Sequence, residues 1–289
     1  MKSKPTSLSK TLGHIMAQEK CQIDDALMAF GLNAVMAGMS LVPACQEQVV
    51  LKGGTSLRLL LKQPLGRIST DLDLSLVAGA RVTTEVFTGD VRRQCANVLA
   101  EYFTDTAEID IQLRLDRQQP KYADTMKLMV WRLTARYKKT LANRSGFLVE
   151  LALDEFVDLD KTFMLETTAH QMPIRLRAYA PIQSIAEKLR AILQKHQHFD
   201  RNGLINNFEA RHVTDLVALK SLLQPGDLET LHVLFHRKCD ARRIPQAERT
   251  RERLLNPKLK EAVATSHQKL QLRTDPWLVL VSLVDIVLN

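Results

Sequence analysis

The chain has 289 residues, enough for one large or two small domains with a substantial core. Its 45% hydrophobic and 25% charged residues are ordinary for a soluble globular protein, and a net charge of +8 asks for an anionic partner. Four scattered cysteines (Cys21, Cys45, Cys95, Cys239) form no C-x-x-C pair, which argues against a disulfide frame or a zinc site and for reduced thiols in a cytoplasmic protein.

The N-terminus, Met-Lys-Ser-Lys-Pro, lacks the apolar core of a signal peptide. From about Leu8 to Met39 the spacing of Ile23, Ala26, Leu27, Phe30 and Val35 predicts helix. Val49-Val50-Leu51 then reads as a short apolar strand, broken by Gly53-Gly54. Thr55 is placed to cap a helix running to about Leu61, whose free N–H groups would favour a phosphate. Glycine pairs of this kind are often no more than a tight turn.

The next element sharpens the reading. Arg67-Ile-Ser69-Thr-Asp71-Leu-Asp73-Leu has the alternation of a strand, with Asp71 and Asp73 on one face and Leu72 and Leu74 directed into a core. Two carboxylates that close repel unless a cation lies between them, so the pair is a candidate ligand set for a divalent ion. Ser69 lies on the same face as the aspartates, where a phosphate or metal-water contact or a simple turn hydroxyl is open to it. Arg67 can contact phosphate or pair with the carboxylates.

Further on, Glu108 to Asp116 alternates polar and apolar residues without a break, an amphipathic strand. Leu128 to Lys138 alternates in the same way, with Arg132, Arg136 and Lys138 giving it a basic outer face. Gly146 to Asp154 is a more apolar strand interrupted by Glu150, where an uncompensated charge would be costly to bury. Asp154 falls four residues later, on the same face if the strand continues, and either acid could instead pair with an arginine. After Pro181 the pattern is helical to the end. One helix runs from Ile182 to about Lys195, another from about Phe208 to Leu223, and Pro225-Gly226 closes the latter. Between Arg237 and Arg253 seven Lys or Arg face three Asp or Glu, so half of the net charge sits in a short segment. The apolar tail from Trp277 to Leu288 is too short to span a bilayer and contains Asp285, which predicts a docked terminal helix.

The motifs together resemble a known family. Lys52-Gly53-Gly54-Thr55, followed by Arg67-x-Ser69-x-Asp71-Leu-Asp73-Leu, is similar to the AbiEii/AbiGii (MenT-like) nucleotidyltransferase toxins of the DNA polymerase β-type superfamily. Ala186-Glu187-Lys188-Leu189-Arg190-Ala191 is similar to that family's "EKL-x-A" helix, and Arg211-His-Val-Thr-Asp215-Leu216 to its "R-(D/H)-x-x-D-L" segment. The interval between the glycines and Asp71 is long for the general polymerase β pattern and suits the AbiEii-like branch.

The resemblance implies an α+β fold: a polymerase β-type core with a mixed sheet and N-terminal helices over residues 1–180, then a helical domain over 181–289 that completes the active site. It implies transfer of a nucleoside monophosphate from an NTP to an acceptor hydroxyl, with the 3′ end of a tRNA as the expected acceptor. The expected outcome is blocked translation in a toxin–antitoxin or phage-defence setting, neutralised by a separate antitoxin. Mg²⁺ would sit on Asp71 and Asp73, and Gly53, Gly54, Thr55, Arg67 and Ser69 would hold the nucleotide. Superfamily members commonly add a third carboxylate from a neighbouring strand; Glu150 is the candidate and Asp154 the alternative. On periodicity alone Lys188 is a solvent-facing lysine and Asp215 a helix-surface acid paired with Arg211. The resemblance instead gives Lys188 a triphosphate contact and Asp215 a supporting role. A protein-modifying nucleotidyltransferase (AMPylation) would use the same site with another acceptor. A non-enzymatic basic nucleic-acid-binding module would make the aspartate pair structural.

Overall fold

The computed structural model describes residues 5–61, 71–116, 128–138, 140–142, 147–202, 207–270 and 274–288. These form two compact units: Met1–Val157 with Phe163–Ala178, and Asp158–Thr162 with Tyr179–Asn289.

The first unit is built on a mixed sheet. It opens with α1 (Leu8–Glu19) and α2 (Ile23–Met39). From Ala26 to Met39 every residue of α2 is buried, including Asn33 and both glycines. A helix apolar on all sides belongs inside a fold rather than on its surface, and α2 packs against both the sheet and the later helix α5. Close approach explains one of its glycines. A Cβ at Gly38 would come within 2.7 Å of the Cys95 sulfur and 2.9 Å of the Val91 carbonyl oxygen.

A short α3 (Pro43–Gln48), with proline in its first turn, leads into β1 (Val49–Leu51). Then come α4 (Gly53–Leu61) and β2 (Asp71–Leu76). The chain passes through a π-helical turn at Val86–Val91 into α5 (Arg92–Tyr102). The remaining strands are β3 (Ile109–Leu115), β4 (Leu128–Tyr137), β5 (Thr140–Ala142), β6 (Leu148–Ala152), β7 (Thr162–Ala169) and β8 (Met172–Tyr179). Between β7 and β8, His170 and Gln171 both have positive φ, 49° and 72°. That is the requirement of a type I′ hairpin turn, whose twist matches the strands it joins.

The strand order is β3-β4-β6-β2-β1-β8-β7, with β5 added against β4. At the centre β2 runs antiparallel to β1 and parallel to β6. Alternation along β2 decides what faces where: Leu72 and Leu74 are fully buried, whereas Asp71 and Asp73 are half-buried. On β4, Trp131, Leu133, Ala135 and Tyr137 form the buried row, and Trp131 stacks on Phe87 with centroids 4.2 Å apart.

The second unit is helical: α6 (Pro181–Asn202), α7 (Asn207–Lys220), α8 (Leu231–Ala241), α9 (Arg251–Leu254), α10 (Pro257–Leu270) and α11 (Pro276–Leu288). The apolar tail is a docked helix, buried at Val279, Leu280, Leu283, Val284 and Val287 and packed on α7 and α8. Among the described residues no helix is long and apolar enough to cross a membrane.

Several of the basic residues read from the sequence have acidic partners in the fold. The outer face of β4 is not a bare cationic strip. Arg132 pairs with Asp116 at 2.8 Å and Lys138 with Glu108 at 3.5 Å, acids that flank the two ends of β3. The segment from Arg237 to Arg253 is also largely spent internally. Lys238 and Arg242 are buried, Arg249 pairs with Asp240 at 2.5 Å, Arg251 pairs with Asp285, and Arg253 lies 3.6 Å from Glu248. Formal charge counted along a sequence overstates the field when its carriers are paired in the fold.

Candidate active site

Three acidic residues are brought together by the central strands. Asp71 and Asp73 share one face of β2, and the parallel pairing of β6 sets Glu150 opposite Asp73. Burial, with the neighbouring Asp73 and Asp71 carboxylates, pushes the Glu150 carboxyl up to about 7; the Lys52 ammonium opposes the shift. Burial first, and then the like charges beside it, favour its neutral form.

Asp154 is not part of this row. The strand ends at Ala152, and Asp154 lies exposed in the bend beyond it. The expected four-residue repeat on one strand face is therefore lost where the strand stops.

The glycine turn is pressed against the same row. Gly53 has φ of +72°, and a Cβ there would lie 1.9 Å from the Asp73 carboxylate oxygen Oδ2. The Lys52 backbone N–H donates to the Asp73 carbonyl at 2.9 Å, fixing the approach of the turn to the strand. Only glycine meets both the backbone and the steric demand. Gly54 follows as the second, half-buried residue of α4. We expect Gly53→Ala to lower activity by about a hundredfold or more, because displacement of a reacting group by an ångström costs that much. Steady-state rates set beside a melting curve measure this; an alanine variant with unchanged rate would show that the contact is not needed.

Thr55 departs from its expected capping role. Helix α4 already begins at Gly53, and the fully buried Thr55 hydroxyl donates to the Asp71 backbone carbonyl at 2.8 Å. Its side chain ties the helix to the carboxylate strand. Arg67 and Ser69 lie outside the described residues.

Below the row is a feature that sequence reading missed. Lys52 Nζ is ion-paired with Glu155 Oε2, and Ser75 Oγ donates to the same carboxylate oxygen at 2.5 Å. Glu155 is buried although its neighbour Asp154 is exposed. The available signal was its place between the apolar residues Leu153 and Phe156-Val157, just past a core strand.

In the helical unit, Lys188 on α6 and Asp215 on α7 meet at 2.8 Å. Both are buried, so neither takes the surface position that periodicity alone gave it. Beside them Glu187 pairs with Arg190 and approaches Lys238 at 3.4 Å, while the Lys238 ammonium lies 4.3 Å from the Tyr179 ring centre.

Among the described residues no three His, Cys, Asp or Glu side chains form a ready-made metal cage. The donor set nevertheless suits Mg²⁺, which is commonly held by one or two carboxylates together with substrate phosphates. Burial and the neighbouring Asp73 and Asp71 carboxylates together favour the neutral form of Glu150, as a carboxyl set beside two other acids would.

The Glu150 shift has a consequence for stability. In the unfolded chain this carboxyl loses its proton near the ordinary value of 4.5, in the folded protein near 7. Between those values the folded state binds more protons, so stability falls as pH rises through the window. With EDTA present, Glu150→Gln should flatten the melting-temperature decline over that range. An unchanged decline would remove Glu150 as its source.

A model of the family described as "Nucleotidyl transferase AbiEii toxin, Type IV TA system" matches residues 36–277. Among solved structures the chain is similar to MenT4, a nucleotidyltransferase toxin from Mycobacterium tuberculosis. The identity is 17%, the TM-score 0.55, and the alignment covers 96% of this chain and 98% of that one. An antigenic nucleotidyltransferase-like protein from Paracoccidioides brasiliensis aligns at 16% identity and TM-score 0.35, over 98% of this chain and 95% of the other. No match was found among curated proteins. The α+β architecture, with its mixed sheet and C-terminal helices, is thus a nucleotidyltransferase-like fold.

Proposed function

Because this chain belongs to the AbiEii nucleotidyl transferase toxin family of type IV toxin–antitoxin systems, we propose that it moves a nucleoside monophosphate from an NTP to the 3′ end of a tRNA and thereby blocks translation. The observation that carries the reading is the carboxylate row of Asp71, Asp73 and Glu150 with the Gly53 turn pressed on Asp73. A backbone turn that can hold phosphates sits directly beside acids that can hold a cation.

Asp71 and Asp73 would hold Mg²⁺, which when bound offsets phosphate charge and makes the α-phosphorus easier to attack. The backbone N–H groups at Gly53 and Gly54 orient the phosphates at the start of α4. A Glu150 carboxylate oxygen takes the proton of the attacking hydroxyl; a group titrating near neutrality suits that task. The new oxygen–phosphorus bond forms as the bond from the α-phosphorus to the bridging oxygen breaks, and pyrophosphate leaves. By resemblance, Lys188, steadied by Asp215, offsets charge on that leaving group, and Arg67 and Ser69 contact the phosphates. RNA as the acceptor rests on the family resemblance. A separate antitoxin, a cytoplasmic site of action and a part in phage defence complete the proposal.

The test is incubation with each of the four α-labelled NTPs, Mg²⁺, and either total tRNA or lysate protein. Label is expected in tRNA, at its 3′ terminus, from one preferred nucleotide. Label in protein would transfer the proposal to an AMPylation-type acceptor. RNA binding indifferent to Mg²⁺, with no label anywhere, would make the chain a binding module.

A further inference from the structure

The row of acids is closed at one end by the buried ion pair beneath it. Along β2 the residues on the site face are Asp71, Asp73 and Ser75, in steps of two. Across on β6, Glu150 stands opposite Asp73 and Ala152 opposite Ser75. Glu155 takes the Ser75 hydroxyl at 2.5 Å and the Lys52 ammonium on one carboxylate oxygen, and its side chain is 2% exposed. Lys52 is the residue between β1 and the glycine turn, and its own N–H is bound to the Asp73 carbonyl.

We propose that Glu155 is a positioning residue which pins Lys52 as a built-in counter-cation of the Asp71–Asp73–Glu150 row. The inference rests on the reading of that row as the metal and nucleotide site. Three carboxylates at this range repel one another, and a cation is needed to keep them together. A lysine on a long flexible stem would serve badly if loose, because it would swing into the seat meant for the metal. Bonded to Glu155, and through it to Ser75, the ammonium stays at the edge of the row. From there it supports the acids before metal and nucleotide arrive, and it yields the central position when they do.

Opposite shifts in Mg²⁺ affinity test the idea. The single variant Lys52→Met leaves Glu155 buried without its ammonium and is at risk of not folding. The informative chains are therefore wild type, Glu155→Gln and the double variant Lys52→Met/Glu155→Gln. Melting temperature is followed from EDTA through a MgCl₂ titration, so the readout does not depend on turnover.

In the double variant the competing cation is gone and no buried acid is stranded. Half-saturating Mg²⁺ should fall by roughly tenfold, with a larger total rise in melting temperature. In Glu155→Gln the untethered lysine enters the row, and half-saturating Mg²⁺ should rise. A purely structural ion pair would lower all melting temperatures without moving the two midpoints apart. If wild type responds to Mg²⁺ and both variants share its midpoint, the counter-cation role is overturned while the site reading stands. If no chain responds to Mg²⁺, the site reading falls and the counter-cation role with it.

Discussion

Asp73→Asn should abolish nucleotide transfer, by about a thousandfold, while the melting temperature in EDTA is unchanged or raised. The two halves of the expectation come from the same charge. Asparagine keeps the shape that faces the Gly53 turn, so the steric contact between strand and turn survives. It removes one of the two acids that add to the effect of burial in raising the Glu150 carboxyl, so the rise should shrink. Repulsion between position 73 and Glu150 is relieved, which offsets what is lost with the Asp73 charge. The same substitution removes a ligand on which Mg²⁺ would depend, and with it the charge compensation the triphosphate needs. Asp71→Asn should behave alike, with a smaller effect on Glu150, because Asp73 is the acid in direct register with it. Label incorporation and calorimetry on one preparation decide the matter. Retained transfer in either variant would sink the assignment of the row as the catalytic site, and collapse of the fold would make the aspartates structural.

The row was legible because its signal is local. A strand alternates every second residue, so Asp71, Leu72, Asp73 and Leu74 announce both their secondary structure and their faces. The glycine turn is legible for the same reason, although its closest steric partner, the Asp73 side chain, lies twenty residues on and is visible only in the fold. Glu150 stood out as an acid in an apolar strand. What periodicity could not convey was pairing over distance. Lys188 looks solvent-facing because its helix neighbours suggest so; it is buried because Asp215 arrives from the next helix. Lys52 and Glu155 are 103 residues apart, and nothing near either one in the sequence points to the other. The partners of the basic segment were hidden by the same gap. Counting charges from Arg237 to Arg253 could not show that Asp240, Glu248 and Asp285 would answer three of them. Thr55 followed a sound capping rule and was drawn off by a carbonyl on the neighbouring strand β2.

The buried pair in the helical unit gives the other large effect. Lys188→Met should cost about 3–5 kcal/mol of stability, the usual consequence of removing one partner of a buried ion pair. Asp215 would remain at a side-chain exposure of 7% without the ammonium that now lies 2.8 Å away. Methionine fills most of the volume of the lysine stem, so the loss is electrostatic rather than a cavity. Two roles for Lys188 make the same prediction to this point: a structural tie between α6 and α7, or a triphosphate contact that Asp215 holds in place. The double variant Lys188→Met/Asp215→Leu separates them. With both charges gone and apolar groups in their place, stability should return to near the wild-type level, since an apolar pair often replaces a buried ion pair without loss. Transfer should not return, because the ammonium proposed to offset charge on the departing pyrophosphate is still missing. Urea unfolding and label incorporation on the single and double variants provide both readings. A double variant that is stable and active would reduce Lys188 and Asp215 to a structural tie between two helices; one that is stable and inactive assigns the lysine to the reaction and Asp215 to holding it.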